Sequence, residues 1–359
     1  FKVPLVPLLP VIGIIANLYL LGQILSHVLP VILAGSTLLV GFLAYLFLSP
    51  ISVDDDDDEA PADTPRVAME KSTGSDKGTF KVLVPLANPE NVPELMELAA
   101  KIAADRKGEI VALRVITVLD QLSPSAEETR IEREREILEL AQGHALKHEI
   151  PFTSLVVSGR RISGSILETA RTRQCSLILM GWKGFTNTKD KILGEVADAV
   201  VKNARTDLMM VKLTGKRLPK NILLPTAGGE HAGQAAMYTA ALARDAGSSI
   251  TVATLLPNEA DDLALAKAEE LLDAASKGLK DAEVQRVGKQ IIRSDSVVNG
   301  IIEAGEAYDT IVVGASHQPW FRKFFFGNIP YQIAQNADRN VILVKKYNRV
   351  KGFISRALE

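Results

Sequence analysis

The sequence predicts an α/β fold in which two tandem five-stranded parallel-sheet domains follow a two-helix transmembrane hairpin. Three observations carry this reading. Two long uncharged apolar stretches fill the first fifty residues. Short apolar runs then alternate with amphipathic stretches, the pattern of a doubly wound parallel sheet. The order of these runs restarts once, about 140 residues later.

Between Lys2 and Asp54 there is no Asp, Glu, Lys or Arg. "LVPLLPVIGIIANLYLLGQIL" (Leu5–Leu25) and "VLPVILAGSTLLVGFLAYLFLS" (Val28–Ser49) are each long enough to cross a hydrocarbon core of ~30 Å as helices. Only Ser26 and His27 part them, so both ends of the hairpin, residues 1–50, belong on one side. Pro7 and Pro10 predict a late entry or a kink in the first span. Lys2 lies on the side of the two ends and the far loop carries no Lys or Arg, which predicts cytoplasmic ends. A signal peptide would need one apolar core, not two, and the chain opens on Phe1, which suggests a fragment of a longer protein.

Residues 51–79 are rich in Asp, Pro, Ser and Gly without apolar periodicity, and read as an acidic, self-repelling tether. From Phe80 the sheet pattern begins. "FKVLVPL" predicts a strand, and the next segment places Val92, Leu95, Met96, Ala99 and Ile102 on one helical face. "IVALRVI" is the second strand, and Ser125 with Glu128 predicts a capping box opening a long charged helix. "FTSLVVS", a helix near Ile162–Arg173, "SLILMG", a helix after Gly194 and "DLMMVKL" complete the first domain, residues 80–214. In the second, residues 219–347, "KNILLP" answers "FKVLVP", "SSITVATLL" answers "GEIVALRVI" and "NVILVKK" answers "DLMMVKL". Two copies joined by "TGKRLPK" should pack as an intramolecular pair, and residues 348–359 form a basic tail.

Composition narrows the chemistry. A net charge of −2 with 23% charged residues supplies no general attraction to nucleic acid. The one cysteine, Cys175, precludes an internal disulfide framework and fits a buried strand entry in a reducing compartment. His144 and His148 lie one helical turn apart without a carboxylate or thiol at zinc spacing, so no metal site is expected. No Ser–His–acid set or carboxylate pair points to catalysis, and a binding protein is expected, with slow hydrolysis of a bound ligand the residual enzymatic possibility.

The segment "LILMGWKGFTNTKDKILGEVADAV" holds the motif of interest. Gly181, Gly184 and Gly194 are spaced G-x2-G-x9-G, a strand end, a turn and a helix start. Such a loop brings backbone N–H groups toward phosphate oxygens. It is neither a Walker nor a Rossmann pattern. In the second copy Gly314 and Gly327 keep register, His317 replaces the middle glycine and Asn328 follows the last.

With the five-strand order and the "LVP" first strand, this motif resembles the universal stress protein family, of the adenine nucleotide alpha hydrolase-like fold. The resemblance implies ATP or AMP bound through G-x2-G-x9-G followed by Ser or Thr, with an Asp ending the first strand. Here Glu195 follows the last glycine of copy one, and Ala87 and Ala227 replace the Asp. The implied contact residues are Gly181, Gly184 and Gly194 in copy one, and Ala227, Gly228, Gly314, His317, Gly327 and Asn328 in copy two. Asn328 is the better polar end, able to cap its helix and donate to phosphate, so copy two is the stronger candidate. A cyclic dinucleotide is an alternative ligand.

"FKVPLVPLLPVIGIIANLYLL" resembles the last-but-one span of amino acid–polyamine–organocation permeases. That resemblance implies a regulatory region of an inner-membrane amino acid transporter, with its domains in the cytoplasm and the permease domain, the membrane and adenine nucleotide as partners. A homodimer is a further possibility. The competing expectation is an assembly module in stress response that binds no nucleotide.

Overall fold

The computed structural model describes residues 36–38, 65–73, 80–117, 124–182, 194–215, 219–244, 247–315 and 328–348. The chain divides into Phe1–Pro61 and Ala62–Glu359. Of the predicted hairpin only Ser36–Leu38 are described, as helix. The remainder of that expectation lies outside the described residues, among which no helix is long and apolar enough to cross a membrane.

Eleven strands form one sheet. The first repeat holds β2 (Lys81–Pro85), β3 (Glu109–Thr117), β4 (Phe152–Gly159), β5 (Leu177–Trp182) and β6 (Asp207–Lys212). The second holds β7 (Asn221–Pro225), β8 (Ser249–Leu256), β9 (Val287–Arg293), β10 (Thr310–Gly314) and β11 (Asn340–Lys345). Within each repeat the strands are parallel, in the order β4-β3-β2-β5-β6 and β9-β8-β7-β10-β11. These strands are runs of Val, Ile, Leu and Met because helices cover both faces of a parallel sheet.

Helices α1 (Val92–Arg106), α2 (Pro124–Lys147), α5 (Glu230–Leu242) and α6 (Asp262–Asp281) cover one face, and α3 (Ile162–Thr172), α4 (Glu195–Asn203), α7 (Val297–Gly305) and α8 (Asn328–Asn336) the other. Val92, Leu95, Met96, Ala99 and Ile102 are all buried, as the periodicity of α1 predicts. The capping box is not where the sequence places it. Helix α2 begins at Pro124, so Ser125 lies inside the first turn. Pro at the opening position costs no hydrogen bond and brings its own helical φ.

The tether reading also needs correction. Arg66–Ser72 forms strand β1, antiparallel to β4, with a register shift between Val67 and Met69. The Arg173 guanidinium donates to both oxygens of Glu70 at 2.8 Å, and the Thr73 hydroxyl donates to the Phe152 carbonyl. The outer edges of the sheet are therefore β1 and β9, carrying Arg66, Glu70 and Lys71 on one and Lys289 and Arg293 on the other. Charged edges of this kind discourage strand addition.

The two repeats meet where β6 pairs antiparallel with β11, Val341 opposite Lys212 through Lys345 opposite Leu208. The intramolecular pair is thus one continuous sheet with an approximate two-fold axis through its seam. Symmetry-related hydrogen bonds close both ends of that seam. Asp207 Oδ1 accepts from the Tyr347 N–H and Asn340 Oδ1 from the Thr214 N–H, each at 2.9 Å. Away from the sheet, Arg244 pairs with Asp105 at 2.6 Å.

Candidate nucleotide site

In repeat one, β2 ends at Pro85 and the chain turns through a 3-10 segment, Pro89–Asn91, into α1. The Asn88 side chain accepts from the Glu90 N–H and caps this turn. The Arg114 guanidinium, carried by β3, donates to the Leu86 carbonyl and, at 2.9 Å, to the Ala87 carbonyl. It is also paired with Glu134 of α2. A guanidinium held by a carboxylate and two carbonyls therefore occupies the end of the first strand. The sequence reading did not find Arg114, since the signal lies in its cross-strand placement and not in any motif.

Gly181 is the last residue but one of β5 and lies beneath α1. A Cβ added there would meet Leu95 Cδ1 at 3.2 Å. Gly194 has φ 101° and ψ 156°, a conformation that favours glycine, and stands immediately before α4. The first turn of α4 carries Glu195 and Asp198, which place negative charge on the positive end of the helix. Gly184 lies outside the described residues.

Repeat two is built differently at each of these points. The position equivalent to Arg114, counted from the paired residues Glu109 and Ser249, is Thr254, which is buried. After β7 the Gly228 N–H donates to the Thr226 hydroxyl, and Gly228 and Gly229 take φ values of 81° and 90° before α5 begins. Ala227 and Gly228 are exposed. At the end of β10, a Cβ on Gly314 would meet the His231 carbonyl oxygen at 2.6 Å and the Ala232 nitrogen at 3.0 Å. The start of α5 thus lies directly on the β10 backbone, and only glycine permits that approach. His231 Nδ1 accepts from the Lys346 N–H, tying α5 to the segment after β11. His231 was not singled out from sequence.

Asn328 is the first residue of α8, as Glu195 is of α4 in repeat one. The first turn of α8 contains no acidic residue. Gly327 and His317 lie outside the described residues. The structure therefore brings Ala227, Gly228 and Gly314 to the same end of the repeat-two sheet, and it places Gly181 and Gly194 likewise in repeat one.

A cavity of about 280 Å³ lies elsewhere, at the seam, with Arg106, Thr206 and Asp207 of repeat one facing Gln234 and Tyr238 of repeat two. Asp207 Oδ2 accepts from Tyr238 Oη at 2.8 Å and Gln234 Nε2 at 2.5 Å. Burial pushes the Asp207 carboxyl above its ordinary pKa, against these hydrogen bonds and nearby Lys346.

Comparison with known proteins settles the family. The universal stress protein family matches residues 79–212 and again 219–345. The chain belongs to the universal stress protein family. Residues 1–50 match the family described as the C-terminus of AA_permease. A universal stress protein from Archaeoglobus fulgidus covers 75% of this chain and 98% of its own, with TM-score 0.52 and 18% identity. At that identity the likeness shows the fold. Another universal stress protein from A. fulgidus, solved in complex with dAMP, covers 36% of this chain and 96% of its own at 14% identity and TM-score 0.30. Among curated proteins, the Na(+)/H(+) antiporter NhaS5 of Synechocystis sp. is 26% identical over 136 residues, 38% of this chain and 20% of the antiporter. The match thus spans one-fifth of that relative's length.

Proposed function

We propose that this protein is the nucleotide-responsive C-terminal region of a membrane amino acid transporter. Its universal stress repeats would lie in the cytoplasm and its N-terminal residues in the inner membrane. One observation carries the reading: a match to the C-terminus of amino acid permeases over residues 1–50 precedes a tandem universal stress pair that begins at residue 79 of the same chain. Adenine nucleotide, of the ATP or AMP kind, occupies repeat two. The support is chemical. Helix α8 has no carboxylate in its first turn, Gly228 and Gly229 leave the backbone open to close approach, and Thr254 replaces the arginine that closes repeat one. Binding shifts transport by its differential affinity for two docked arrangements of the pair. The region binds rather than catalyses, and takes no metal of its own.

A second reading, an assembly module without nucleotide, is favoured by repeat one, where Arg114 satisfies the carbonyls of Leu86 and Ala87 and Glu195 opens α4. The test is amino acid uptake by vesicles holding the whole transporter, with and without internal ATP or AMP, compared with a chain truncated before residue 62. Nucleotide-dependent uptake that truncation abolishes is the expected result. Identical nucleotide response in both would overturn it.

A further inference from the structure

Two lysines cross the seam in a symmetry-related exchange. Lys212 ends β6 in repeat one, and its Nζ donates to the Ala334 and Ala337 carbonyls of repeat two, both at 2.9 Å. Lys345 ends β11 in repeat two, and its Nζ donates to the Val201 carbonyl of repeat one at 2.9 Å. The acceptors lie at the C-termini of α8 and α4, where carbonyls have no partner within the helix. These are the helices that begin at Asn328 in repeat two and at Glu195, after Gly194, in repeat one. Both lysines are partly buried, and desolvation lowers both pKa values from the ordinary lysine value.

We propose that Lys212, supplied by repeat one, is a positioning residue for the nucleotide site of repeat two. The proposal rests on the reading that repeat two binds adenine nucleotide. A nine-residue helix has little stability of its own, so its attitude is set by what holds its ends. The cation at the C-terminus of α8 satisfies two carbonyls, opposes the negative end of the helix dipole and anchors the helix to the neighbouring repeat's strand. Phosphate bound at the other end then meets N–H groups already in place. By reciprocity, nucleotide in repeat two strengthens the grip of Lys212 and hence the pairing of the repeats. Neither repeat is then a self-sufficient binding unit. Lys345 donates to one carbonyl, that of Val201, at the corresponding end of α4, where Glu195 occupies the phosphate end, and so serves as the internal control.

The experiment is calorimetric titration of the full chain with AMP and with ATP, for wild type, Lys212→Met, Lys345→Met and Lys212→Arg. Lys212→Met should weaken binding about fivefold or more, Lys212→Arg should recover most of the loss, and Lys345→Met should leave affinity within about twofold while lowering the melting temperature comparably. Equal weakening by both methionine variants would assign the effect to a loosened seam and overturn the proposal, as would unchanged affinity in Lys212→Met. No binding by wild type is a separate result, which removes the nucleotide reading and this proposal with it. If Lys212→Met does not fold, amide exchange on wild type decides: nucleotide should slow exchange at the Ala334–Ala337 end of α8, and protection confined to the glycine-loop end would overturn it.

Discussion

Asp207 shows how much a single residue at the seam is asked to do. Its carboxylate takes the Tyr347 N–H, the Tyr238 hydroxyl and the Gln234 amide, while the symmetry-related position is the neutral Asn340. Burial is the largest influence on Asp207 and raises its pKa above that of an unfolded carboxylate. A folded state that holds its proton to higher pH gains stability below the ordinary carboxylate pKa, and loses that gain as pH rises through the raised value. Asp207→Asn should therefore melt within about 1 kcal/mol of wild type or above it at pH 7. It should lose ground to wild type at pH 4. Thermal melts at the two pH values check this, and a variant that is relatively weaker at pH 7 than at pH 4 would contradict it. Arg114 and His231 carry the same lesson about what is legible. No spacing rule flags either one, because each acts on backbone atoms of a segment brought close only by the sheet.

At the scale of elements, the paired first glycines of the two motifs do different work. A methyl group on Gly181 meets the end of the Leu95 side chain, which can move, whereas on Gly314 it meets backbone at the start of α5. Gly181→Ala should cost less than about 1 kcal/mol, and Gly314→Ala about 2–3 kcal/mol through overpacking. Denaturant unfolding of the two variants measures both costs, and equal costs would contradict the helix-on-strand contact described for repeat two. The strands of the two sheets were readable because burial on both faces makes them continuous apolar runs. β1 was not, since "RVAMEKS" has a polar sequence and is a strand only by pairing with β4, some 80 residues away. The start of α2 was misplaced for a local reason, as a serine three residues before a glutamate also occurs inside first turns.

At the scale of the whole molecule, the duplication yields one sheet rather than two adjacent ones, with the sheet edges β6 and β11 consumed by each other. Among the described residues that pairing leaves β1 and β9 as open edges, so strand addition at either would meet an edge lined with charge. The repeats have diverged within this symmetric frame. Repeat one carries Arg114 over its first strand and Glu195 at its helix start, whereas repeat two has Thr254 and no acidic residue in the first turn of α8 at those places. Tandem order and pairing were legible from the restart of the pattern, but this division of labour was only half visible, through Glu195. The most direct test is photolabelling of the full chain with 8-azido-ATP, followed by peptide mapping and competition with AMP. Saturable label on repeat-two peptides, displaced by AMP, is the expected result. Label confined to repeat one, or no saturable label, would contradict the assignment of nucleotide to the second repeat.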